Sequence, residues 1–189
     1  MVVIIDCGYK YIYRLEDLVD QYVDYQTFSI FDFDVSQLPE NINAIIISNA
    51  QVSVHETNTD NYQAKIKPIF DLNLPVLGIG FGQHLLGLCF DALTAYQPYT
   101  NELTEISIIE DTPLFDKLPL DIELMQDHAG TISIPPDFKL LASSDRSINE
   151  AMQHVTKPLY GIQFIPELSG NYGATVIENF VNISLKYNT

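Results

Sequence analysis

Between residues 75 and 84 the chain reads Pro-Val-Leu-Gly-Ile-Gly-Phe-Gly-Gln-His. A short apolar run enters Gly78-Ile79-Gly80-Phe81-Gly82, and helix-compatible residues follow. A strand that feeds a helix through closely spaced glycines is the layout that exposes a catalytic Ser or Cys on a tight, strained turn. The glycines are needed because backbones crowd together there. Here the position for the nucleophile is Gly80, which has no side chain to attack with. The turn of a nucleophilic enzyme is present without its nucleophile.

A second stretch, Tyr160-Gly161-Ile162-Gln163-Phe164-Ile165-Pro166-Glu167, is a strand ending in a proline turn and an acid. A cysteine nucleophile needs a His to take its proton and often an acid to orient that His. An H-x-E step at the end of a strand supplies both. Ile165 occupies the first place and Glu167 the second.

The glycine turn has two other readings. A dinucleotide fingerprint requires a third glycine at position 83, an acid about 20 residues on, and normally the first strand of the unit. Position 83 is Gln83, no such acid ends a second strand, and the run before the turn is the fourth strand-like segment. The other reading, a turn whose glycines only let a helix pack, stays open.

The elements that position these segments follow from periodicity. Val2–Asp6, Ala44–Ser48 and Val76–Ile79 are apolar runs that predict strands buried on both faces, and Thr27–Phe31 predicts another strand. Residues 14–23, 59–72 and Gly82–Phe90 suit helices, with Pro68 shortening or kinking the second. Such alternation predicts a three-layer, doubly wound, mostly parallel sheet. The second half adds short strands at Leu103–Ile109, Ile122–Gln126 and Thr131–Ile134, expected to add a small mixed or antiparallel layer to the main sheet. A short helix over Ser147–His154, a strand over Leu159–Phe164 and a closing helix over Ala174–Leu185 complete the reading. The carboxyl edge of the sheet, where open sheets bind ligands, then gathers Asp6-Cys7-Gly8, Ser48-Asn49, the glycine turn and the loop after Phe164.

At 189 residues and 47% hydrophobic the chain fits one globular domain, residues 1–189. Its formal charge of −16, with scattered Lys and Arg, argues against nucleic acid. No run approaches the ~18 apolar residues of a membrane span, and the opening Met1-Val2-Val3 lacks a basic start. A cytoplasmic location is expected. Cys7 and Cys89 have no metal-ligand or disulfide spacing, so free thiols are expected, with neither metal nor cofactor.

With these segments in hand, the chain resembles the glutamine amidotransferase domain of the Cys-His-Glu triad class, within it the stand-alone glutaminase subunit of GMP synthetase. The family's L-G-I-C-x-G-H-Q aligns with Leu77 to His84, and its G-V-Q-F-H-P-E with Gly161 to Glu167. Its I-I-D-N-G start resembles Ile4 to Gly8. Leu114 to Pro119, Pro135 to Ala142, Tyr172-Gly173 and Asn179-Phe180 resemble further family segments, in order along nearly the whole chain. The resemblance implies a flavodoxin-like amidotransferase fold and a synthetase subunit of the ATP-pyrophosphatase type as partner, with glutamine or another small molecule as ligand.

The departures fall at the chemistry. By the resemblance, Gly80 stands at the catalytic Cys, Ile165 at the catalytic His, and only Glu167 of the triad remains. The family's S-G-G-P oxyanion loop becomes Ser48-Asn49-Ala50-Gln51, and its H-Q pair becomes Gln83-His84. The S-H-x-D segment, which the resemblance assigns to the partner interface and to specificity, becomes Asp127-His128-Ala129-Gly130. A pocket is expected from Ser48, Asn49, Gly78, Gly80, Phe81, Gly82, Gln83, His84 and Ile165. Thioester chemistry is impossible at Gly80, and loss of triad members costs several powers of ten in rate. The expectation is a pseudoenzyme that binds a partner or small molecule. The alternatives are an active amidotransferase with a replaced nucleophile, for which Cys7 is the candidate, and a plain binding module. In the last, backbone N–H groups at the start of the helix after the turn would hold an anion. Whether Ile165 and Phe81 fill the old pocket is left open.

Overall fold

The computed structural model describes residues 1–187, so the last two residues of the expected domain, 188 and 189, lie outside it. In chain order the elements are β1 (Val2–Asp6), α1 (Ile12–Asp20), β2 (Tyr25–Ser29), β3 (Ala44–Ile47), α2 (Asp60–Ile66), β4 (Val76–Ile79) and α3 (Phe81–Leu88). Then come β5 (Thr94–Ala95), β6 (Leu103–Ile108), β7 (Asp121–Met125), β8 (Thr131–Ile132), β9 (Phe138–Ser143), β10 (Ala151–His154), β11 (Leu159–Ile162) and α4 (Gly170–Tyr187).

Nine strands form one sheet in the order β2-β1-β3-β4-β11-β10-β9-β6-β7. The first five are parallel, joined through β1·β2, β1·β3, β3·β4 and β4·β11. Their side chains explain this. Val2 to Ile5, Ala44 to Ile47, Val76, Leu77 and Ile79 are sealed from solvent, as strands covered on both faces must be. Alternate residues feed two cores. Ile4, Ile46 and Leu77 join Leu15 and Val19 of α1 and Val176, Ile177 and Phe180 of α4. Ile5, Ile47 and Val76 join Ile66 of α2 and Leu85 and Leu86 of α3 on the other face. The doubly wound, three-layer expectation holds.

Pro68 behaves as its chemistry predicts. The α-helix stops at Ile66, and residues Lys67–Asp71 continue as a 3₁₀ turn, because proline has no N–H to give. One expectation is overturned. Ser147–His154 is not a helix. Ser144 Oγ accepts from the N–H groups of Arg146 and Ser147, making a turn, and Ala151–His154 is a strand between β9 and β11. The short strands of the second half add to the main sheet. β10, β9, β6 and β7 lengthen the main sheet in antiparallel fashion, and only the two-residue pair β5·β8 stands apart. Strand β9 (Phe138–Ser143) is absent from the strand-like segments read from the sequence. No helix among the described residues is long and apolar enough to cross a membrane.

Candidate functional site

The turn after β4 forms under severe crowding. A β-carbon at Gly82 would lie 2.8 Å from the carbonyl carbon of Ile47, nearer than any real β-carbon approaches. Gly82 therefore lets the start of α3 press against the end of β3. Gly80 caps α3 with φ +54°, a left-handed region in which a side chain is strained. A β-carbon added there would sit 2.7 Å from Asn49 Cγ, and nearer still to Asn49 Oδ1.

Asn49 is thus the centre of the site. It is fully buried. Its Oδ1 accepts the Phe81 N–H at 2.9 Å, and its Nδ2 donates to the Asp127 carbonyl at 2.8 Å. Ser48 Oγ accepts the Cys7 N–H at 2.9 Å and donates to the Asn49 carbonyl. Ser48, Asn49, Gly80, Phe81 and Asp127 are therefore brought together by the structure. The Phe81 N–H, the first donor of α3, is already spent on Asn49 and not offered to an anion. Phe81 itself packs edge-on against Tyr62 at 5.3 Å. Ile165 belongs to the opposite core with Phe164. The space of a side chain at position 80 is thus filled by Asn49, not by Ile165 and Phe81.

Asp127 anchors the rim. Its carboxylate accepts from the Tyr9 hydroxyl at 2.7 Å and the Tyr99 hydroxyl at 2.6 Å. Burial pushes this carboxyl up, but the bonds from Tyr99 and Tyr9 outweigh it and hold it below its ordinary value. Glu167 is the opposite case. The residue is half-buried, yet both carboxyl oxygens are sealed and have no hydrogen-bond partner among the described residues. Burial, with Asp127 adding repulsion, pushes it up to about 8, so the neutral acid dominates at pH 7. Ile165 holds its loop by main chain, its N–H donating to the Met125 carbonyl at 2.8 Å and its carbonyl accepting from Ser169 Oγ at 2.6 Å.

Gln83 and His84 lie in a second polar chain. His84 Nε2 meets Gln163 Oε1 at 3.4 Å, and its ring stands edge-on to His128 at 6.1 Å. Burial, then His128, pushes His84 down to about 3. His128 is held down to about 4, chiefly by burial. His128 bonds to Gln126 at 2.8 Å, Gln126 to Glu150 at 3.0 Å, and Glu150 to the Ser144 hydroxyl at 2.6 Å. Gln83 Nε2 donates to Asn149. Asp127 and His128, expected at a partner interface, are both buried.

Cys7 lies at the carboxyl edge but is buried, and burial followed by the charge of Asp6 pushes its thiol far up. Cys89, just beyond α3, is pushed up to about 12, mainly by burial. Neither offers a thiolate near neutral pH.

Comparison with known proteins places this architecture. A family model described as glutamine amidotransferase class-I matches residues 3–183. The chain belongs to the class-I glutamine amidotransferases. Among curated members, one subunit of the glutamine-hydrolyzing GMP synthase of Pyrococcus furiosus is 30% identical over 97% of this chain and 98% of its own length. The GMP synthase of Caldanaerobacter subterraneus is 34% identical over 80% of this chain and 30% of that longer protein. A crystal structure from Thermoplasma acidophilum, provisionally assigned to the same GMP synthase subunit, superposes with a TM-score of 0.88 at 26% identity, covering 100% of this chain and 96% of that one. A Thermotoga maritima glutamine amidotransferase shares the fold, with a TM-score of 0.71 at 15% identity over 100% of this chain and 85% of that one. The amidotransferase thus matches the GMP synthase subunit over nearly its full length.

The residues that sequence reasoning missed are Tyr9, Tyr99, Gln126 and Glu150, together with the role of Asn49. For Asn49 the signal was the resemblance itself, which sets an amide at position 49 and a glycine at position 80 where it implies a glycine and a cysteine.

Proposed function

We propose that this amidotransferase is a non-hydrolysing member of its family, a single domain built like the GMP synthase subunit, whose role is to bind a partner or a small molecule. The observation that carries the reading is the place of Asn49. Amide hydrolysis on this turn needs a side-chain nucleophile at position 80 and the backbone N–H of position 81 free for the developing oxyanion. Gly80 supplies no nucleophile, and the Phe81 N–H is held by Asn49 Oδ1 at 2.9 Å. The apolar Ile165 and the neutral Glu167 remove the base and its orienting charge. A replaced nucleophile finds no support in Cys7, whose thiol is buried and held protonated.

By family resemblance the partner is a synthetase subunit of the ATP-pyrophosphatase type. We assign contact with it to the exposed Tyr99, whose hydroxyl donates to Asp127 at the rim of the site, and not to the buried Asp127 and His128 side chains.

The test is ammonia release from glutamine by the purified chain. The natural chain is expected to stay at the buffer rate. Gly80→Cys/Ile165→His is expected to remain silent, because Asn49 still fills the site. Adding Asn49→Gly is expected to raise release by on the order of 10²-fold. Hydrolysis by the natural chain would sink the reading.

A further inference from the structure

A second opening lies on the same edge of the sheet, over β1. In the order β2-β1-β3, the chain leaves β1 for a neighbour on one side and later returns to pair on the other. α1 and α2 cover opposite faces there. Such a reversal leaves a crevice beyond the carboxyl ends of the strands, the usual ligand position in open parallel sheets. A cavity of about 390 Å³ lies next to this crevice, on its β2 side, lined by Ile30 and Phe31 after β2 and by Asn58, Asn61, Tyr62 and Lys65 around α2. Its β1 side is marked by Gly8, where an added β-carbon would stand 3.8 Å from Phe31 Cε2.

The lining has a definite chemistry. Phe31 is 61% exposed, a large aromatic ring left without cover. Tyr62 stands beside it with ring centroids 5.9 Å apart and planes inclined at 66°, and the exposed Phe31 ring is the kind of surface on which a planar group stacks. Asn61 and Asn58 place amides beside the rings, and an amide can give and accept hydrogen bonds at once. Asn58 Oδ1 already accepts the Asp60 N–H, so its NH₂ is the group left to give. Lys65 supplies a cation, but its ammonium already donates to the Phe33 carbonyl at 2.9 Å. One tethered cation on a chain of formal charge −16 is a poor cradle for phosphate. It suits a neutral ligand with acceptor atoms.

We propose that this crevice is a binding site for a neutral, planar nitrogen heterocycle of nucleoside size, stacked on Phe31 and held by the amides of Asn58 and Asn61. The site is separate from the glycine turn and does not depend on the loss of glutamine chemistry. It is connected to that turn through one aromatic contact, since Tyr62 also packs on Phe81 at 5.3 Å.

Calorimetric titration of the full chain with guanosine, adenosine and uridine tests this, beside Phe31→Ala and, as an exposed aromatic on α4 across the sheet, Tyr172→Ala. At least one of the three is expected to bind. Phe31→Ala is expected to weaken that binding at least about fivefold, as loss of a stacking ring does, while Tyr172→Ala leaves it unchanged. Backbone amide shifts on binding are expected at Phe31, Asn61 and Phe81. Absence of binding by all three up to their solubility limits overturns the proposal. So does binding that Phe31→Ala leaves intact. A dimer that Phe31→Ala disperses would also overturn it, by giving Phe31 to a second copy of the chain.

Discussion

The glycine turn after β4 and the crevice over β1 sit on one edge of the same five parallel strands, and they differ in one respect. The turn is closed by a side chain from its own fold, and the crevice is not. At the turn, Asn49 meets the Phe81 N–H and the Asp127 carbonyl, so ligand-directed donors have been turned inward. Over β1, Phe31 stays uncovered and Asn58 and Asn61 beside it are exposed. A filled place on the carboxyl edge of a doubly wound sheet therefore need not close the rest of that edge. Filling is local, because each crevice is made by its own pair of loops.

The comparison is broken most sharply by adding a single carbon. Gly82→Ala drives a β-carbon into the backbone of Ile47, which cannot retreat without moving β3. A loss of about 3 kcal/mol is expected. Gly8→Ala beside the crevice meets only ordinary contact with Phe31, and its cost is the φ of +93° alone, about 1 kcal/mol. Denaturant midpoints at constant slope measure both. Equal losses would mean that the turn is no tighter than the crevice.

A pH series sharpens the turn's side of the comparison next. Glu167 is raised in the folded chain to about 8 from an ordinary 4.5. The folded state then holds a proton that the unfolded state has lost, so stability falls as pH rises across that interval. Glu167→Gln is expected to flatten this fall, by on the order of 2 kcal/mol between pH 5 and 8. His84 and His128 act in the other direction. Their folded values, about 3 and about 4, lie below the ordinary 6.5, so stability also declines as pH drops below 6.5. Urea melts at several pH values would show the curve, and an unaltered slope in Glu167→Gln would contradict the buried neutral acid.

The finest measurement is a double-mutant cycle. Gly80→Ala is expected to destabilise the natural chain and to cost at least about 1 kcal/mol less once Asn49→Gly has made room. Strict additivity would show that Asn49 does not fill the place of a side chain at position 80.

Much of the architecture was legible because the parallel half is written in apolar runs. Ile45-Ile46-Ile47 has one natural home, between two covering layers, and Val76–Ile79 another. The antiparallel half was less legible. Phe138–Ser143 mixes a lysine and serine into its strand, and its partner β10 begins just after the polar turn Ser144–Glu150. A turn rich in Ser and Asn looks locally like a helix start, and only pairing with β9 and β11 decides the matter. Of the candidate site, Ser48, Asn49 and the glycine turn were legible as neighbours on the carboxyl edge. The contact of Asn49 with position 80 was not, because it depends on two loops far apart in sequence approaching within hydrogen-bonding distance.

The Gly80–Asn49 pair also constrains what this turn can carry. A β-carbon at position 80 and the amide of Asn49 where it now stands compete for one space, and that amide is held from two sides, by the Phe81 N–H and the Asp127 carbonyl. The two positions therefore act as one unit. A side chain is seated at 80 only together with a change at 49, so the turn is altered in pairs of substitutions and not singly.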